Sequence, residues 1–197
     1  MARYKLEQKE QTRERIIDAA GRCFKKSGYS GIGVDGLAKE AGVTSGAFYG
    51  HFDSKKSAFE AAIVTGLNDV TLGMTLLQQE HGANWWQAFA KFYMNTRRTC
   101  DLSESCALQT LTPEVGRAEV AIRAVYEAEL LKIIQAAQNL DKQPTQEYRA
   151  KVWANLAMLI GGVTLARAVE NEKLAEEIAH SIEQNLLLNE KSNTYSN

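Results

Sequence analysis

Apolar residues recur along most of this chain at intervals of three and four, the spacing that lines one buried face of a helix. The first stretch predicts a helix to about residue 27 that buries Ile16, Ala20, Cys23 and Phe24, with Gly28 placed to end it. A second, short set comprises Val34, Leu37, Ala38 and Ala41, followed by Gly42. Phe48 and Phe52 then form an i, i+4 pair, and Ser54 stands where it can cap a long fourth helix. In that helix Phe59, Ile63, Leu67, Val70, Met74 and Leu77 keep the period. His81-Gly82-Ala83-Asn84 reads as a break, followed by an aromatic-rich helix over about 85–99 and a short one over about 104–111. Thr112-Pro113-Glu114 predicts a restart, with Thr as N-cap and Pro at the first helical position, reaching about residue 139. A turn over 141–144 and two final helices, about 145–171 and 172–188, complete the pattern. Residues 1–10 read as a mobile polar arm and the tail from Asn189 as frayed. With two prolines and few alternating runs, the expectation is an all-α chain of about nine helices.

The segment 34–55, VDGLAKEAGVTSGAFYGHFDSK, carries the most chemistry. It predicts two short helices joined by a sharp turn at Gly42, with Val43 plugging the gap and Thr44 as N-cap of the second. With Phe48 and Phe52 facing inward, Ser45, Gly46, Ala47, Tyr49, Gly50 and His51 are left on the other faces. A helix-turn-helix presents the start of its second helix to base edges in the major groove, and short side chains there permit close approach.

Together with Thr12-Arg13-Glu14-Arg15-Ile16-Ile17-Asp18-Ala19-Ala20, Phe24, Gly28-Tyr29, the run Leu37 to Tyr49, His51-Phe52 and Ser54-Lys55, this segment resembles the TetR/AcrR family of bacterial regulators. The resemblance covers roughly the first quarter of the chain. It implies a three-helix DNA-binding domain over 1–56 and a helical effector-binding and dimerisation domain over 57–197. It further implies phosphate contacts from Tyr49, His51 and Lys55, and base contacts from the surface around Ser45, Gly46, Ala47 and Gly50, where Thr44 and Ser45 are the main polar groups available for base readout. The function it implies is a ligand-responsive repressor that binds a palindromic double-stranded DNA operator as a homodimer and is released by a small molecule. The chain departs from the family at Gly33, where members often carry a phosphate-reaching hydroxyl.

Charge supports this division. The net charge of −1 hides 11 Lys/Arg against 7 Asp/Glu in residues 1–56, and 12 against 17 in the remainder. A basic head on an acidic body suits a head that meets phosphate. Met1-Ala2-Arg3 leads into charged sequence without an apolar core, so no signal peptide is expected. The most apolar stretch, 156–163, is far shorter than the ~18 residues of a membrane span. A cytoplasmic protein without membrane contact is therefore expected. Three cysteines without a C-x-x-C pair predict neither a disulfide framework nor a metal site.

Gly31-Ile32-Gly33-Val34-Asp35-Gly36 spells G-x-G-x-x-G, but a helix rather than a strand precedes it and the following helix is short, so no cofactor is expected. Trp86, Phe89, Tyr93, Trp153 and Met158 are candidates for a ligand pocket, although apolar stripes most often form core. Cys106, in Ser105-Cys106-Ala107-Leu108, resembles a cysteine of family members that sense electrophiles or oxidants, and Cys100 lies six residues before it. Ala157, Gly161, Gly162 and Ala166 lie close to one helical face and suggest a close-packed dimer seam. His51, His81 and His180 are widely separated without clustered carboxylates, which weighs against an enzyme using the C-terminal body as an active site.

Overall fold

The computed structural model describes the backbone of residues 2–138 and 145–191, and the side chains of 7–138 and 145–186. Its helices are α1 (Ala2–Ser27), α2 (Val34–Glu40), α3 (Ser45–Tyr49), α4 (Lys55–His81), α5 (Trp85–Phe92), α6 (Ala107–Thr110), α7 (Thr112–Gly116), α8 (Val120–Gln138), α9 (Gln146–Ala168) and α10 (Glu172–Lys191). Among the described residues no strand occurs, so the all-α expectation holds. The chain divides into two compact units, Met1–Leu67 with Leu102–Glu129, and Asn68–Asp101 with Leu130–Asn197. The expected boundary after residue 56 falls inside the first unit, because α4 runs on past it and residues 102–129 pack with the head.

The first unit is built around Ile16, Ala20, Phe24, Leu37, Phe48, Phe59, Ile63 and Leu67, all essentially inaccessible to solvent. Phe24, Tyr29 and Phe59 form an aromatic cluster with ring centroids 4.9–5.9 Å apart. Gly28, at φ +71°, ends α1 and donates its N–H to the Phe24 carbonyl. Cys23 is only half-buried, one position off the inward stripe. At Gly66, α4 passes α6 so closely that a Cβ there would lie 2.6 Å from the Ala107 Cβ. The turn expected at 141–144 and the helix end expected at about residue 139 lie outside the described residues.

Several boundaries differ from the sequence reading. Residues 2–10 continue α1 rather than forming an arm; Lys, Leu, Glu and Gln are strong helix formers and no Pro or Gly interrupts them. The helix expected from Thr112 to about 139 stops at Gly116 and restarts at Val120. Thr112 is not its cap: its hydroxyl donates to the Leu108 carbonyl and meets the Tyr126 hydroxyl at 2.6 Å. The aromatic helix passes into a π-helical turn at Tyr93–Arg97. Arg167 closes that end, donating from Nη1 to the Arg97 and Arg98 carbonyls and from Nη2 to that of Cys100, at 2.8–2.9 Å.

In the second unit α9 packs against α10, and Val152, Leu156, Leu159, Val163 and Ala166 of α9 are buried. The four small residues of α9 do not share a face. Gly162 is buried where a Cβ would press on Ile182 and Met94, and Ala166 lies with it. Ala157 is exposed, and a Cβ at half-buried Gly161 would meet nothing within 4 Å. One residue of offset turns a helix by about 100°, enough to separate the two pairs.

Candidate nucleic-acid interface

The turn between α2 and α3 is set by local chemistry. Gly42 sits at φ +66°, a conformation that costs a side chain but not glycine. It lets the N–H groups of Gly42 and Val43 close on the carbonyls of Lys39 and Ala38. Thr44 then caps α3, its Oγ1 accepting from the Ala47 N–H at 3.1 Å. Gly33 caps α2 without a side-chain bond and Gly31 precedes it in the link, while Gly36 lies inside α2.

Phe48 and Phe52 anchor α3 from behind, at 0% and 4% exposure. Gly46, Ala47, Tyr49 and Gly50 face solvent, Tyr49 at 55%, with its ring edge-on to Phe48. Ser45 is half-buried and its hydroxyl donates to Asp35 Oδ1 at 2.6 Å. The hydroxyl proton is thereby engaged within the protein, and only its oxygen lone pairs remain for an incoming donor. Nothing in the local spacing announced Asp35 as a partner.

The three candidate phosphate contacts separate. Tyr49 is exposed on α3. Lys55 turns inward: its Nζ donates to the carbonyls of Tyr29 at 3.0 Å and Ile32 at 3.2 Å, and lies 4.3 Å from the Tyr29 ring centroid. Those bonds use two of its three donors and make it a strut for the 28–33 link. His51 is half-buried, with Nδ1 sealed and without a hydrogen-bond partner. Burial pushes its pKa down, with Lys9 and Arg13 acting in the same direction and Glu10 opposing. His51 lines a groove of about 480 Å³ together with Arg13, Phe52, Asp53 and Glu60.

The same link is held from a second side. Glu114 on α7 accepts the Tyr29 N–H at Oε2, 3.3 Å away, and pairs with Arg117 through Oε1 at 2.7 Å. Lys56 is paired with Glu119, and Arg22 with Glu40 at 3.3 Å, so two of the head's cations are spent on internal contacts.

Residues 16–62 match the family model described as bacterial regulatory proteins, tetR family. Those residues are similar to the N-terminal segment of tetR-family regulators. Over 75 residues it is 40% identical to the transcriptional regulator SrpR of Pseudomonas putida, covering 38% of this chain and 35% of that protein. Over 59 residues it is 42% identical to AcrR of Shigella flexneri, covering 30% and 27% respectively. The matched region thus spans only about a third of these relatives. The likeness in fold to solved TetR-family structures extends over about nine-tenths of the chain. Reduced NemR of E. coli superposes with a TM-score of 0.74 at 18% identity, over 88% of this chain and 96% of that one. A TetR-family regulator of Cytophaga hutchinsonii does so with a TM-score of 0.70 at 20% identity, over 91% and 95%.

The remaining candidates fall into both units. In the second, Trp86, Phe89 and Tyr93 are buried and meet in series with Trp85, successive centroids 4.3–5.9 Å apart, Trp85 stacked on Trp86 and Trp86 edge-on to Phe89. Trp153, by contrast, lies 36% exposed on α9, one residue past buried Val152 and so turned outward. It is not an interior residue. Met158 is half-buried beside Leu159, and Asn155 is buried with Oδ1 lacking a donor. In the first unit Cys106 is 7% exposed at the N-cap of the four-residue α6. Among the described residues no group of three or more His, Cys, Asp or Glu is placed to hold a metal, and no helix is long and apolar enough to cross a membrane.

Proposed function

We propose that the chain is a ligand-responsive transcriptional repressor that reads an operator with α3 in the major groove. The bare outer face of α3, pinned from behind by two phenylalanines, carries this reading. Thr44, Ser45, Gly46, Ala47 and Gly50 contribute close approach and shape fit. Tyr49 contributes a phosphate hydrogen bond, and Ala47 suits a thymine methyl. His51 flanks the duplex, whereas Lys55 serves by holding the 28–33 link that precedes α2. IcaR of Staphylococcus aureus, 39% identical over 51 residues, bears the description of a negative transcriptional regulator, which favours repression.

A palindromic operator requires two heads, hence a homodimer. The outward face of α9, with Ala157, Gly161 and Leu165, is the surface proposed for the second copy. The aromatic series of Trp86, Phe89 and Tyr93 is the proposed neighbourhood of a small-molecule effector, which acts by binding the DNA-competent and incompetent states unequally. The working compartment is the bacterial cytoplasm, where the operator is.

The test is enrichment of duplexes from a random-sequence pool by purified protein, followed by anisotropy titration. A recurrent two-fold sequence and at least tenfold weaker binding by Tyr49→Ala are expected. Failure to enrich any sequence, or an unaffected Tyr49→Ala variant, overturns the proposal.

A further inference from the structure

The first turns of α1 precede the residues that match the family model, yet they bring two cations to the end of α3. Arg13 lines the same groove as His51. Its guanidinium lies 4.9 Å from the centroid of Phe52, the ring that anchors α3 from behind. Lys9 stands one turn earlier, at i−4 from Arg13, and is exposed. Both lie near enough to His51 to oppose its protonation. Among the described residues neither Lys9 nor Arg13 has a carboxylate within ion-pair distance, unlike Arg22, Lys56, Arg98 and Arg117.

We propose that Lys9 and Arg13 of α1, together with His51, form a seat for one backbone phosphate of the bound duplex. This rests on the DNA-reading proposal above and adds to it residues on a different helix. The two cations gathered beside the imidazole repel each other in the free protein, and an anion between them converts that repulsion to attraction. Stacking on Phe52 holds the Arg13 fork in place, so little side-chain freedom is lost when it engages an oxygen pair. With Nδ1 of His51 sealed, its other nitrogen is the one left to donate to a phosphate oxygen. Glu10, and Asp53 and Glu60 on the groove wall, oppose an anion, which confines the seat to the Lys9–Arg13 side. A phosphate held there fixes the angle at which α3 enters the groove, a positioning role without sequence readout.

The experiment uses the full chain, a duplex enriched by the wild-type protein and a scrambled duplex of equal length, titrated by anisotropy across a sodium chloride series. Lys9→Ala/Arg13→Ala should bind both duplexes about tenfold more weakly, and the slope of log affinity against log salt should fall by about 2, about 1 for the phosphate seated by each head of the dimer. Arg13→Lys, which keeps the charge, should retain the slope. Unchanged affinity and slope, with Tyr49→Ala still impaired, overturns the seat and leaves the DNA-reading proposal standing. Weaker binding at an unchanged slope, with a lowered melting temperature, also overturns it, since Arg13 would then act only by packing on Phe52. A wild-type protein that enriches no duplex overturns both.

Discussion

Replacing Gly66 by alanine adds one methyl group where α4 crosses α6. The added Cβ would stand 2.6 Å from the Ala107 Cβ, against the ~3.5–4.0 Å at which two carbons rest. About 1 Å of separation must therefore be found. Ala107 has no rotamer to yield, so the two helix backbones must move. Overpacking of this kind costs about 1–3 kcal/mol. Set against it is the ~0.5–1 kcal/mol by which alanine outperforms glycine in a helix. The net expectation is a loss of about 1–2 kcal/mol, or a melting temperature lower by about 2–8 °C for a chain of this size. Gly73, on the same helix, offers the control: a Cβ there meets nothing within 4 Å, so Gly73→Ala should raise the melting temperature. Circular dichroism at the helical band reads both. Adding Ala107→Gly to Gly66→Ala removes the collision and should restore most of the loss. If Gly66→Ala melts at or above the wild type, the close crossing of α4 and α6 is wrong.

Three further outcomes follow from the head. Thr44→Ala should lose about 1 kcal/mol by leaving the Ala47 N–H uncapped, while Thr44→Ser should not; equal melting of the two would remove the cap from the account. Lys55→Met should destabilise the head by about 1.5–3 kcal/mol through the orphaned carbonyls of Tyr29 and Ile32, measured without any DNA present. A variant that folds like wild type and differs only in DNA affinity would return Lys55 to a phosphate role. For His51 the folded pKa lies below its unfolded value of about 6.5, so the unfolded chain binds more protons as pH falls. That contribution to stability is present above about 6.5 and declines below it, and His51→Gln should flatten the decline in melting temperature between pH 7 and pH 5.

What could be read from the sequence was local. Thr44, Gly42 and the Phe48–Phe52 pair act on neighbours within four residues, so spacing alone exposes them. Lys55 could not be assigned its partners in this way, because they lie 23 and 26 residues earlier and meet it only once α1 and α4 have packed. Ser45 was legible as polar and outward, but its bond to Asp35 depends on how α2 and α3 cross. The split of Gly161 from Gly162 turned on which flank of α9 meets Ile182 and Met94, which periodicity leaves open. The α1 cations escaped notice because Lys9 and Arg13 read as ordinary solvated charges until Phe52 and His51 are placed beside them.

The peptide groups around Tyr29 are gripped by a carboxylate on one side and an ammonium on the other, from Glu114 and Lys55. A stretch rich in glycine would ordinarily tolerate extra length, since lengthening a flexible loop costs little. This one should not. A single inserted residue between Gly28 and Gly33 would carry one of the two grips out of reach, so the spacing from α1 to α2 behaves as a fixed gauge rather than as slack.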